Sequence, residues 1–315
     1  MKILIFRALK IGDMLCSLPA IKNLHEFFPK SSISIVALPY MIPFLERYSI
    51  YLDSIIPFSG YPGLPEIPFD KVQYQKMVEL IRKEKFDLLI QMHGDGSGLQ
   101  LMMLDFKIPC VWSFSPKSRT GFFTYPVSYH EIHKHNALLN WYGVPTPHVH
   151  IPFPILLEDY VKFEKLLMNY EILGKSFVII HPGASCKERR WGIYNFAKVM
   201  QILYKKGYTL LLSGVKKEMF LADELKEYLD FNFINMMGEA DLGLTALLLK
   251  HSKGLITNCT GVSHIGSATS TKSIVISKDG EAGRWAPLNK EIHKTFDCSQ
   301  DDKLKEVMFS VGQYF

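Results

Sequence analysis

What this sequence lacks narrows it quickly. No apolar run among the 315 residues approaches the roughly 20 that a helix needs to cross a bilayer. The five cysteines, at 16, 110, 186, 259 and 298, are scattered, odd in number and without a C-x-x-C pair. That excludes a zinc ribbon and a disulfide frame, and predicts reduced thiols in a cytoplasmic protein. There is no G-x-G-x-x-G and no P-loop lysine, which disfavours a nicotinamide-dependent dehydrogenase or a P-loop enzyme. A hydrolase triad has little support without a G-x-S-x-G elbow. No tract interleaves basic and aromatic residues, so nucleic acid is not an expected partner. Neither an internal repeat nor a low-complexity tract is present. The opening 1–6 has the apolar look of a signal segment, but Arg7, Lys10 and Asp13 interrupt it too early.

What remains is the composition of a folded, two-domain protein. Hydrophobic residues make up 48% and charged ones 21%, enough apolar surface to build a large core. The net charge of +5 is spread along the chain and suits an acidic ligand or an anionic membrane surface. Apolar runs of strand length alternate with amphipathic runs of helix length, the pattern of an α/β fold with parallel sheets. Strands are predicted at 2–7, 32–38, 86–92 and 108–113, with helices at 12–28, 72–84 and 133–142. The second half repeats the alternation, with strands at 176–181, 208–213, 231–236, 253–257 and 272–277. Its helices are predicted at 191–206, 217–229 and 242–251, and a last one at 301–313 can fold back onto the first domain. Residues 59–68 are too rich in Pro and Gly for either element and read as an exposed loop. Four prolines in the eleven residues 144–154 mark the linker between domains 1–150 and 151–315. The fold class is therefore two doubly wound, Rossmann-like α/β domains, with ligands expected at the carboxyl ends of the strands, in the cleft between them.

Three loops at predicted strand ends carry chemistry. Asn258-Cys259-Thr260-Gly261-Val262-Ser263-His264 runs from a strand into a helix start. Free N–H groups and the positive end of the helix dipole make such a turn an anion site, although Thr260 can also be an ordinary N-cap. His264 can donate a further bond to a phosphate or ribose. His181-Pro182-Gly183-Ala184-Ser185-Cys186-Lys187-Glu188-Arg189-Arg190-Trp191 joins a Gly turn, a hydroxyl and a cluster of cations. It suits a diphosphate, or else it is a solvated basic loop beside a core tryptophan. Lys10-Ile11-Gly12-Asp13 follows the opening strand: Asp13 either complements a helix dipole or serves as a general base. Histidines 130, 133 and 135 flank Glu131, but no Cys or further carboxylate completes a metal site, and no metal is expected.

These motifs, in this order, resemble glycosyltransferase family 9, the bacterial heptosyltransferases of the GT-B fold that act on lipopolysaccharide core. The resemblance rests on Arg7 with Gly12-Asp13, on His181–Ser185 leading to Arg190-Trp191, on Thr260-Gly261 with His264, and on Arg284-Trp285-Ala286-Pro287-Leu288. It covers nearly the whole chain and implies an inverting transfer, without metal or other cofactor, of heptose from ADP-heptose. It implies Asp13 as catalytic base, with Gly12 beside it as a substrate-binding residue. Ser185 and Arg189 would hold the donor diphosphate, Arg189 standing where a Lys is common, together with the turn of Thr260, Gly261 and His264. Glu218 lies near the place of an acid that binds the ribose. The implied partners are an ADP-sugar and a glycolipid or glycan acceptor, met at the inner face of the cytoplasmic membrane by peripheral contact. Tyr61, Lys117, Arg119 and His133 offer contacts to a phosphorylated sugar lipid, or are ordinary surface.

Two departures from the family pattern matter. Cys259 stands where the family has Asp, and Ser277-Lys278-Asp279-Gly280 replaces a usual Gly-Pro-Thr. Loss of an acid and gain of Lys278 predict a more positive pocket with altered donor affinity or identity. The alternative reading of a degenerate donor turn is a sugar-nucleotide-binding protein without catalytic activity.

Overall fold

The computed structural model describes all residues 1–315, and the chain divides into two compact units, Met1–Ile151 and Pro152–Phe315. The first unit contains strands β1 (Lys2–Phe6), β2 (Ser32–Ala37), β3 (Ser54–Pro57), β4 (Leu88–Gln91), β5 (Cys110–Ser115) and β6 (Phe123–Thr124). Its helices are α1 (Ile11–Phe27), α2 (Ile42–Leu45), α3 (Lys71–Glu84), α4 (Gln100–Phe106) and α5 (Glu131–Trp141). All six strands are parallel, in the order β3-β2-β1-β4-β5-β6. Ile3, Leu4, Ile5 and Phe6 are fully buried, because a central parallel strand is covered on both faces. Helix α1 is buried along most of its length and packs on α5, where Asn23 donates to Asn136 Oδ1 (3.2 Å) and the His148 carbonyl (3.0 Å).

The second unit runs α6 (Leu157–Asn169), β7 (Phe177–His181), α7 (Ile193–Lys205), β8 (Thr209–Leu212), α8 (Phe220–Lys226), β9 (Ile234–Asn235) and α9 (Leu242–His251). It continues β10 (Gly254–Asn258), α10 (Gly261–Ala268), β11 (Ser273–Ser277), α11 (Ala282–Trp285), β12 (His293–Asp297) and α12 (Leu304–Tyr314). Its order, β12-β11-β10-β7-β8-β9, is the first sheet's order again: a start in the middle, growth to one side, then a jump to the other. The switch points fall between β1 and β4 and between β7 and β10, where the chain leaves the sheet in opposite directions and opens a crevice.

The sequence pattern found the interior strands and missed the edges. Strands β3, β6 and β12 were not predicted, and the run at 231–236 forms only the two residues of β9; all four are edge strands. An edge strand buries less of itself, so its residues carry a weaker apolar signature. Helix α6 was also missed, since Leu157, Val161 and Met168 lie exposed and blur its periodicity.

The last helix contributes to the core of its own unit: α12 packs on α7, placing Val307 and Val311 there. The fully buried Trp191 fixes the approach, donating from Nε1 to the Asp302 carbonyl at 2.7 Å. Trp191→Ala should therefore lower the unfolding free energy by about 3–5 kcal/mol, read as an earlier urea midpoint with unchanged far-UV dichroism at zero urea.

Candidate active site

In the first unit the site begins with a charge the fold has buried. Arg7 follows β1 and has no solvent exposure. Its guanidinium donates to the Met92 carbonyl after β4, and twice to the Asp13 carbonyl in α1 (Nε 3.0 Å, Nη2 2.7 Å). Nη2 also stands 3.4 Å from Glu131 Oε1 and 3.9 Å from Asp13 Oδ1. The buried Glu131 carboxylate is shared with Lys134 Nζ (3.4 Å) and His135 Nε2 (3.5 Å). Arg7 thus ties the end of β4 to the first turn of α1, which carries Gly12 and Asp13. Lys10, the residue before that turn, offers no side-chain cap. Of the three histidines that flank Glu131 in the sequence, His130 caps α5 by accepting from Ile132 N (3.2 Å) and His135 faces Glu131.

Sequence reasoning passed over several residues near the ends of β1 and β4. His93 Nδ1 accepts from the Ala8 N–H (3.3 Å), and Nε2 stands 3.6 Å from Glu66 Oε1. Glu66 arrives on the Pro- and Gly-rich loop, which Gly60 closes tightly: its φ is +83°, and a Cβ there would lie 2.6 Å from the Pro68 carbonyl. The Tyr40 phenol is raised by burial and then by the charges of Asp13 and Glu66, which puts all three within electrostatic reach. Only the loop's composition signalled Glu66.

The second unit's crevice is built by two loops that share one side chain. Asn258, fully buried at the end of β10, accepts from Trp191 N (2.9 Å) and donates to the carbonyls of Pro182 (2.7 Å) and Gly183 (3.2 Å). That amide locks the Pro182–Trp191 loop against the Thr260 turn. Thr260 is the N-cap of α10, yet its side chain makes no capping bond and its buried Oγ1 has no partner. In the first turn Ser263 N–H donates to the Thr260 carbonyl (3.0 Å), while the N–H groups of Gly261 and Val262 have no intrahelical acceptor, so this end of α10 is equipped for an anion. Ser185 is exposed on the facing loop, and His264 is buried one turn into α10, edge-on to Trp285 at 6.2 Å.

Arg189 reaches the same turn, donating from Nη2 to the Cys259 carbonyl (3.1 Å) and pairing with Asp279 Oδ2 (2.8 Å). Its Nε–H and Nη1 groups remain without a protein partner, and the side chain is 33% exposed. The expectation of a more positive pocket is thereby corrected. Asp279 supplies a carboxylate beside the turn, and Lys278 is engaged by Asp302 (2.8 Å). Burial alone would raise Asp279, but bonds from Ser277 Oγ and the Glu281 N–H, with the Arg189 charge, hold it below the usual carboxylate range. The Cys259 thiol is pushed up to about 12, chiefly by burial, and stays neutral. Asp279 was read as part of a divergent loop; the pairing of β10 with β11 delivers it to Arg189.

Glu218 sits on the turn after β8, buried against Gly183 and Gly214, and its Oε2 accepts from Val215 N (3.0 Å). A Cβ on Gly183 would fall on the Glu218 carboxylate itself. Burial keeps His181, at the end of β7, on the neutral side despite the nearby Glu218 charge.

Two doubly wound parallel units with these loops at their switch points give the GT-B architecture. The profile of glycosyltransferase family 9 (heptosyltransferase) matches residues 75–308, and the chain belongs to that family. It is 24% identical to lipooligosaccharide heptosyltransferase 2 of Haemophilus ducreyi, over 92% of this chain and 87% of that one. It is 22% identical to lipopolysaccharide heptosyltransferase 2 of Escherichia coli K12, over 92% and 86%. Among solved structures, a family 9 glycosyltransferase from Veillonella parvula superposes with a TM-score of 0.79 at 17% identity, covering 98% of this chain and 89% of that chain. The E. coli ADP-heptose LPS heptosyltransferase II gives 0.73 at 17% identity, covering 99% of both. E. coli heptosyltransferase WaaC, solved with ADP, gives 0.72 at 15% identity, covering all of this chain and 98% of that one.

The buried imidazoles give this site a pH signature. Burial, and then the Arg7 charge, lowers both His93 and His135 from 6.5 to about 4. Between those values the unfolded chain binds more protons than the folded one, so stability rises with pH. Their contribution is complete above about pH 6.5 and is lost as pH falls toward 4. Ring-proton NMR should find both neutral at about pH 5.5, and the urea midpoint should drop steadily below about pH 6.5.

Proposed function

We propose that this glycosyltransferase moves heptose from ADP-heptose to a lipopolysaccharide-core or related cell-envelope acceptor, with inversion at the anomeric carbon and without a metal. The observation that carries the donor half is the Asn258-stapled pair of loops. An uncapped helix N-terminus and an Arg189 with unused N–H donors meet at one turn. Backbone N–H groups, Ser185, Thr260 and Gly261 would hold the diphosphate, with Arg189 supplying charge and His264 a further donor. Glu218, poised after β8, would accept the ribose hydroxyls, as acids do at this position in doubly wound nucleotide sites. The names of the E. coli relatives, one an ADP-heptose enzyme and one solved with ADP, support the adenine assignment.

In the reaction Asp13 takes the proton of the acceptor hydroxyl as its oxygen attacks the anomeric carbon. The bond from that carbon to the diphosphate oxygen breaks, and the negative charge passes to ADP. Fixed positive groups at the diphosphate stabilise the departing charge without having to reorganise. Arg7 holds the backbone of Asp13, and so the direction of the carboxylate, through two bonds to one carbonyl. The enzyme would act at the cytoplasmic face of the inner membrane, in peripheral contact with its acceptor lipid; no helix is long and apolar enough to cross a membrane.

Asp13→Ala should lower kcat by about 10²–10⁴ while calorimetric ADP affinity stays unchanged; equal transfer by the variant would remove Asp13 as the base. Arg189→Ala should weaken ADP by roughly tenfold or more, the worth of charge-assisted hydrogen bonds, and leave adenosine binding untouched. Tighter binding of UDP, GDP or CMP than of ADP would overturn the heptose assignment.

A further inference from the structure

We propose that the first unit carries a pocket for the hydrocarbon chain of an anionic lipid, with Lys107 and Arg119 placed for its phosphate. The cavity measures about 210 Å³ and is walled by Met103, Ile108, Val111 and Phe114. That space equals about seven waters at ~30 Å³ each, enough for a short run of methylenes and too little for a whole lipid. Its apolar wall is the core side of α4 and β5, where Met103 and Phe114 are buried, while Gln100, Ser113 and Ser115 line the remainder.

The rim is cationic. Lys107 and Arg119 both line the opening, and no Asp or Glu does. The Arg119 guanidinium lies over the Phe122 ring, 4.8 Å from its centroid, and neither cation has a carboxylate or carbonyl partner for its side chain. The nearest acid on α4, Asp105, is already taken by the Tyr74 hydroxyl at 2.7 Å. Two unpaired cations beside a cavity with one apolar wall match the chemistry of a phosphate joined to an alkyl chain.

A second observation lies on the outer face of α4. Leu101 and Leu104, one turn apart, are 69% and 71% exposed, and Lys107 follows at the same spacing. Exposed leucines in line with a lysine are costly in water but suited to a lipid surface, where the apolar groups sink and the cation stays with the headgroups. The pocket therefore opens beside a face that a bilayer would cover. This reading does not depend on the transfer reaction, because its test needs no donor and no turnover.

The experiment is calorimetric titration of the full chain with decyl phosphate below its micellar concentration. Binding is expected for the wild type, with inorganic phosphate and the uncharged decyl maltoside at least tenfold weaker. Met103→Trp, which fills the cavity, and Arg119→Gln, an exposed change, should each raise the decyl phosphate Kd by roughly tenfold, a loss near 1.4 kcal/mol. Far-UV dichroism and a urea midpoint matching the wild type should hold in both variants and so certify their fold. The proposal falls if decyl phosphate does not bind, if decyl maltoside binds as tightly, or if either variant with an intact urea transition binds decyl phosphate like the wild type. Were Met103→Trp to unfold earlier, Arg119→Gln alone would decide the matter.

Discussion

One side-chain amide does most to hold the second unit's crevice in shape. Asn258 spends its carbonyl on Trp191 and its NH₂ on Pro182 and Gly183, so a single buried group sets the distance between two loops that belong to different strands. A buried amide is tolerated only when its hydrogen-bonding capacity is filled, and here the filling is what fixes the loops. Arg7 performs the corresponding task in the other unit, crossing from the end of β1 to the end of β4 and on to α1. In both sheets a polar side chain at the end of a central strand spans the switch point, and the neighbouring helix N-terminus inherits its position.

Much of this organisation was legible in the residues. Continuous apolar runs gave the central strands, because burial on both faces leaves no room for alternation. The loops of Gly12-Asp13, of Pro182–Arg190 and of Cys259–His264 could be picked out because small residues, cations and helix starts lie together in the chain. Partners that meet only through folding were hidden. Glu131 reaches Arg7 from 124 residues away, Glu66 comes to His93 on an irregular loop, and Asp279 depends on strand pairing. No local pattern encodes such pairs. Edge strands and α6 were lost for a different reason: their partial exposure dilutes the periodicity that marks an element.

Charge at the Thr260 turn illustrates the difference between reading positions and reading contacts. Position by position, Cys259 for an acid and a lysine at 278 suggested an excess of positive charge. In space, Asp279 sits on Arg189 and Asp302 on Lys278, so the local balance is restored by residues from other loops. Arg189 still keeps donors to offer, because a guanidinium has five and the pairing occupies one nitrogen. The neutral thiol of Cys259 then contributes packing and a carbonyl, not charge.

Gly183 and Glu218 carry a consequence for how this sequence can change. The carboxylate fills the space a β-carbon at 183 would need. The two positions therefore constrain one another: a side chain at 183 would push the Glu218 carboxylate off its bond to Val215 N, or require a shorter residue at 218. Change at the glycine is thus tied by steric volume to change at the acid.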